Sequence, residues 1–152
     1  MNKWMKIAYD EATQGMLANE GGPFGAVIVK NEKIISQAHN RVLKSNDPTA
    51  HAEVNAIRKA SEVLGTFDLS GCILYTTCKP CPMCLGAIFW ARIGTVYFGA
   101  TEEDAARGGF DDKRFYEMLS GENNDLVLKQ IDAKQNAKLF DLWLKKNDRE
   151  IY

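Results

Sequence analysis

No apolar stretch in this sequence approaches the roughly 20 residues that a bilayer crossing requires. Lys3, Lys6 and Asp10 break up the apolar positions of the first segment. The expectation is therefore a cytoplasmic protein, with neither a spanning helix nor a secretory leader. An excess of one charge is missing too: 19 Lys and Arg against 20 Asp and Glu leave a net charge of −1. Without a broad positive field to gather phosphate backbones, a dedicated nucleic-acid binder is disfavoured. Repeats, low-complexity tracts and linkers are also absent, and 152 residues with 45% apolar positions suit one domain with one core, spanning 1–152. Cysteine occurs nowhere except Cys72, Cys78, Cys81 and Cys84. A disulfide scaffold would spread its bridges over the fold, so this crowding points to metal ligation or redox chemistry in a reducing compartment.

Met5, Ala8, Ala12 and Met16 recur at near-helical spacing, which predicts a helix over about 2–18 that Gly21, Gly22 and Pro23 stop. The runs Ala26–Val29 and Lys33–Ala38 flank Asn31 and Glu32, the pattern of a two-strand hairpin. Ala56, Ile57, Ala60, Val63 and Leu64 predict an amphipathic helix that Gly65 ends. A strand at Cys72–Thr77, a helix at Pro82–Arg92 and a strand at Thr95–Gly99 alternate, which implies a partly parallel sheet. A short helix at Lys113–Leu119, a fifth strand at Leu126–Ile131 and a last helix at Ala133–Lys146 complete the prediction.

The chemistry concentrates in His51-Ala52-Glu53 and Pro80-Cys81-Pro82-Met83-Cys84. One imidazole and two thiolates supply three ligands for a tetrahedral zinc ion, leaving the fourth position for water as in a catalytic site. His-x-Glu followed by Pro-Cys-x-x-Cys is a recognised signature of zinc deaminases. On a helix, Cys81 and Cys84 project within roughly 60° of each other, whereas His51 and Glu53 differ by roughly 200°. The second pair can meet one ion only beyond the open end of its helix, which favours Thr49 over Asp47 as the cap and a start near Ala50. The unpaired N–H groups of both motif helices would then point at the metal and favour thiolates. Zinc with two thiolates and a neutral His51 is formally neutral, so it acidifies water less than a three-histidine site does, and a base is needed. Glu53 is the candidate for moving protons. An iron–sulfur cluster through Cys78, Cys81 and Cys84 is the competing reading, with Cys72 poorly placed as its fourth thiolate. Cys78 is otherwise a packing residue and Cys72 a small buried hydrophobe.

With these motifs in hand, the chain resembles the cytidine-deaminase-like superfamily and, within it, the short zinc-dependent bacterial guanine deaminases. The resemblance runs through Gly22–Val29, Ser45–Glu53 and Cys78–Ile88, and Gly109-Phe110-Asp111-Asp112 and Tyr152 extend it. It implies an α/β fold, three layers αβα around a five-stranded mixed sheet, and hydrolysis of guanine to xanthine and ammonia. It also implies zinc on His51, Cys81 and Cys84, with Glu53 as proton shuttle. By the same resemblance Phe24 stacks on the purine, Asn40 hydrogen-bonds it, Asp112 contacts the amino group leaving C2, and Trp90 lines the pocket. A homodimer is implied, with the C-terminal segment exchanged and Tyr152 closing the partner's site. Lys79 departs from the family pattern, which commonly has an acidic residue before the Pro-Cys pair. A tRNA adenosine deaminase, or another nucleobase or nucleoside deaminase, shares the same motifs. The near-neutral charge weighs against an RNA substrate. A non-catalytic zinc module would want a fourth protein ligand, and the sequence offers none.

Overall fold

A computed structural model, which describes residues 1–123 and 125–152, sets helices on both faces of a four-stranded sheet. Helix α1 (Lys3–Leu17) begins where Asn2 Oδ1 accepts the Trp4 and Met5 amides at 2.9 and 3.2 Å. That cap satisfies two of the donors a helix start leaves open. Strands β1 (Gly25–Lys30) and β2 (Lys33–His39) turn through Asn31 and Glu32, both left-handed with φ of 49° and 58°. Two successive left-handed residues match the twist of an antiparallel hairpin, so the expected turn is present.

A one-turn helix α2 (Val42–Ser45) leads to α3 (Ala52–Leu64), strand β3 (Ile73–Cys78), helix α4 (Pro82–Trp90) and strand β4 (Thr95–Ala100). The order is β2-β1-β3-β4, antiparallel except for the β3–β4 pair, whose parallel pairing uses α4 as its crossover. Strand β1 is buried on both faces. Ala26 and Ile28 join Ala52, Ala56 and Ala60 of α3 on one side, while Val27 and Val29 join Ala8 of α1 on the other. Small residues on α3 let it lie close to the sheet, and this closeness carries the first turn of α3 to the strand ends where the site forms.

After β4 come α5 (Glu102–Arg107), α6 (Lys113–Leu119) and α7 (Ala133–Lys145). The sheet has four strands, which corrects the expected five. Leu126–Ile131 has strand-like composition, yet it is irregular and exposed throughout, because it meets no sheet edge of its own chain. Strand β4 stands at the margin, mostly exposed. The sequence reading also lacked α2 and α5, which are too short to show periodicity. A further correction concerns α3: its N-cap is His51 rather than Thr49, and the helix starts at Ala52 rather than Ala50. Asp47 instead binds the Thr49 amide and hydroxyl at 2.8 and 2.7 Å, forming a turn ahead of the helix. No helix among the described residues is long and apolar enough to cross a membrane.

Candidate metal centre and active site

The two motif helices begin alike. His51 caps α3 and Cys81 caps α4, both with extended backbone and neither using its side chain as a cap. Pro82 at the first position of α4 costs no hydrogen bond, because that amide would be unpaired in any case. Both helix starts therefore converge on one point, as the 60° and 200° arithmetic requires.

His51 Nδ1 lies 3.6 Å from Cys81 Sγ and 3.5 Å from Cys84 Sγ. A tetrahedron built on zinc–sulfur and zinc–nitrogen bonds of about 2.3 and 2.0–2.1 Å has an S···N edge of about 3.6 Å. The spacings are those of ligands around a common ion, and these three residues form the one metal-ligating group found among the described residues. All four cysteines are free. Cys72 is buried in the core cluster, and Cys78 Sγ contacts the Thr101 carbonyl at 3.5 Å. Burial pushes the Cys78 thiol up to about 11, so it stays protonated at neutral pH. Neither stands as a fourth ligand, and the iron–sulfur alternative has no support.

The Cys84 donor and then His51 hold the Cys81 thiol well below the usual thiol range, while Cys81 and burial push Cys84 up. His51 is raised, chiefly by its contact with Cys81. Glu53, in the first turn of α3 and only 6% exposed, accepts from the Thr76 hydroxyl at 3.1 Å and from Cys84 Sγ at 3.4 Å. Burial raises its pKa, which fits it to take up a proton.

His51, Glu53 and Cys81 line a cavity of about 560 Å³ together with Phe24, Asn40 and Asp112. Phe24 meets Phe110 edge-to-face, with centroids 4.8 Å apart and planes at 82°, leaving an aromatic wall. Asn40 is 5% exposed, and its Oδ1 accepts the Gly22 and Val42 amides at 3.3 and 3.1 Å. A Cβ at residue 21 would fall 2.1 Å from that oxygen, so Gly21 is required there. Asp112 is the N-cap residue of α6 but makes no side-chain cap bond, and burial followed by the Cys81 thiolate raises its carboxyl. Lys79 also lines the cavity, with its charge answered by Glu102 at 2.6 Å and by the Tyr116 ring at 5.4 Å. Tyr116 in turn donates to the Pro80 carbonyl at 2.8 Å. Sequence reasoning missed the roles of Phe110, Glu102 and Tyr116. The Phe110 ring follows a quoted motif glycine, but only tertiary contact shows what it touches.

Trp90 and Tyr152 do not reach this cavity within one chain. They stand together, centroids 5.9 Å apart, in a separate hollow with Leu139, Phe140 and Trp143.

The cytidine and deoxycytidylate deaminase zinc-binding region matches residues 1–100. The guanine deaminase of Bacillus subtilis (strain 168) is 49% identical over 142 residues, covering 92% of this chain and 91% of that protein. A solved structure of guanine deaminase from Bacillus subtilis superposes with a TM-score of 0.94 at 47% identity, covering 100% of this chain and 99% of the other. The tRNA-specific adenosine deaminase of Buchnera aphidicola subsp. Schizaphis graminum is 39% identical over 145 residues, with 93% and 92% of the two chains covered. The paired helix starts, the 3.5 and 3.6 Å ligand spacings and the buried carboxylate beside them thus have their counterpart in sequence, and the chain belongs to the zinc-dependent cytidine and deoxycytidylate deaminase family.

Proposed function

We propose that this protein hydrolyses guanine to xanthine and ammonia. The observation that carries the reading is the likeness to a guanine deaminase that continues past residue 100 through α5, α6 and α7. The aromatic wall and the mixed polar groups of the cavity suit a flat base.

His51, Cys81 and Cys84 would hold zinc, which would supply Lewis acidity to activate water at neutral pH. The chain's own residues do the rest. Phe24 stacks on the purine and fixes its plane. Asn40, whose oxygen is occupied by two backbone amides, offers its amino group to a ring acceptor. Glu53 takes the proton from the attacking water and returns protons to the ring nitrogen beside C2 and to the departing amine. Asp112, unused as a helix cap, receives that amine. Water adds at C2, the C2–N bond breaks, and ammonia leaves, so atoms and protons balance.

The chain works as a homodimer that exchanges its C-terminal segments, with Tyr152 closing the partner's cavity. The exposure of the 126–131 strand-like segment and of Leu139, Phe140 and Leu144 on α7 supports this. A reducing cytoplasm suits the paired thiolates.

A tRNA adenosine deaminase is the second reading, favoured by the Buchnera relative's coverage and opposed by the net charge of −1. Zinc-loaded protein incubated separately with guanine, adenine, cytosine, cytidine and tRNA decides between them. Ammonia release with xanthine as product from guanine alone supports the proposal. Inosine in tRNA without xanthine overturns it.

A further inference from the structure

Beside the cavity wall, one ring is held in a way that a single protonation state satisfies. His39 ends β2 and places Nδ1 2.8 Å from Glu11 Oε2 and Nε2 2.9 Å from Glu20 Oε2. Ionised carboxylates only accept, so both ring nitrogens must donate, and only the imidazolium carries two N–H groups. The ring is seated against α1, where a Cβ on residue 15 would fall 2.4 Å from its Cδ2, so Gly15 makes the seat. The side chains of His39, Glu11 and Glu20 are 15%, 12% and 19% exposed, which keeps solvent from screening the contacts fully.

Glu20 continues the link. Lys44 Nζ approaches Oε1 at 2.5 Å, Arg41 Nε stands 3.6 Å from Oε2, and the Glu20 carbonyl accepts the Leu43 and Lys44 amides. His39 and then Lys44 hold the Glu20 carboxyl down to about 2. Glu11 is engaged on its other oxygen by Gln37 at 2.9 Å, and Lys59 of α3 bonds the Gln37 carbonyl. Two members of the cluster lead directly into the cavity: Glu20 into Gly21–Phe24, and His39 itself into Asn40. Those segments are themselves joined, Asn40 N to the Phe24 carbonyl at 3.0 Å and Gly22 N to Asn40 Oδ1.

We propose that His39, as an imidazolium between Glu11 and Glu20, is a positioning residue that holds Phe24 and Asn40 in register for the substrate base. This rests on reading the cavity as the purine site. Without both ring donors a carboxylate is left unanswered and the clamp opens on that side. Substrate affinity then falls while the chemistry at Glu53, on a different element, is spared.

The chain has two histidines, and His51 belongs to the metal, so ring nitrogen-15 spectra of zinc-loaded protein isolate His39. Expected are two protonated ring nitrogens in the folded protein. In His39→Gln the Gly22 and Phe24 amide signals move away from their wild-type positions. His39→Gln raises the KM for guanine about tenfold, a 1.4 kcal/mol weakening, with kcat within about twofold and zinc content unchanged. Glu11→Gln, which keeps size and one acceptor, gives a smaller rise in KM. A neutral ring in one tautomer, Gly22 and Phe24 amides unmoved in His39→Gln, or a fall in kcat at unchanged KM would each overturn the proposal. If the wild type leaves guanine untouched, the proposed function fails, while the spectra still test the clamp.

Discussion

Glu53 shows how much one position carries. It sits in the first turn of α3, buried beside Thr76 and 3.4 Å from the Cys84 sulfur. Glu53→Gln is expected to keep its zinc and lose about 10²–10⁴-fold in turnover, the usual contribution of a positioned general base. His51→Ala is expected to lose the metal itself. Metal analysis beside ammonia release separates the two, and full activity in Glu53→Gln would remove the residue from the mechanism. Glu20 gives a pH prediction. Its folded pKa, about 2, lies below the ordinary 4.5, so its stabilisation is present above pH 4.5 and is lost as pH falls toward 2. The melting temperature of Glu20→Gln should therefore sit below that of wild type at pH 7, and the gap should close by about pH 2. A constant gap would contradict the linkage. His51, Cys81 and Cys84 were legible in the sequence because metal ligation restricts both residue type and spacing, and Glu53 drew notice only through its place beside His51. The His39 clamp was not, since its three members are separated along the chain and meet only when α1 packs on β2.

Among the elements, α5 is the one that a local rule explains after the fact. Thr101 accepts the Asp104 amide at 3.3 Å and Asp104 accepts the Thr101 amide at 2.9 Å, a reciprocal capping box. The box holds Glu102 where it meets Lys79 on the loop before Cys81. Thr101→Ala is expected to cost about 1 kcal/mol, read by denaturant unfolding. An unchanged midpoint would show that α5 is fixed by packing instead. The long amphipathic helices and the hairpin were readable from periodicity and turn residues. Leu126–Ile131 misled because strand propensity describes fitness for a sheet surface and says nothing about which edge is within reach. Thr49 misled as a cap because the ligand role of His51 takes precedence over side-chain capping at that helix start.

Across the whole molecule, the N-terminal two-thirds holds the packed core, while α7 has no buried residue and presents Leu139, Phe140 and Leu144 to solvent. An apolar face of that kind marks an interaction surface, in keeping with the proposed exchange of tails. Co-expression of Glu53→Gln with a chain lacking Tyr152 tests it. If the tail acts in trans, mixed dimers regain activity that neither variant has alone, and no recovery would confine Tyr152 to its own subunit. Alternating elements made the parallel β3–β4 pairing legible and the layering came from the family resemblance, whereas the missing fifth strand could be seen only once the sheet order was known. The paired helix starts carry one more consequence. Neither His51 nor Cys81 uses its side chain as a cap, so zinc held by both would tie the starts of α3 and α4 to each other. A chelator should then speed deuterium uptake at the opening turns of both helices together, while the amides of β1 remain protected.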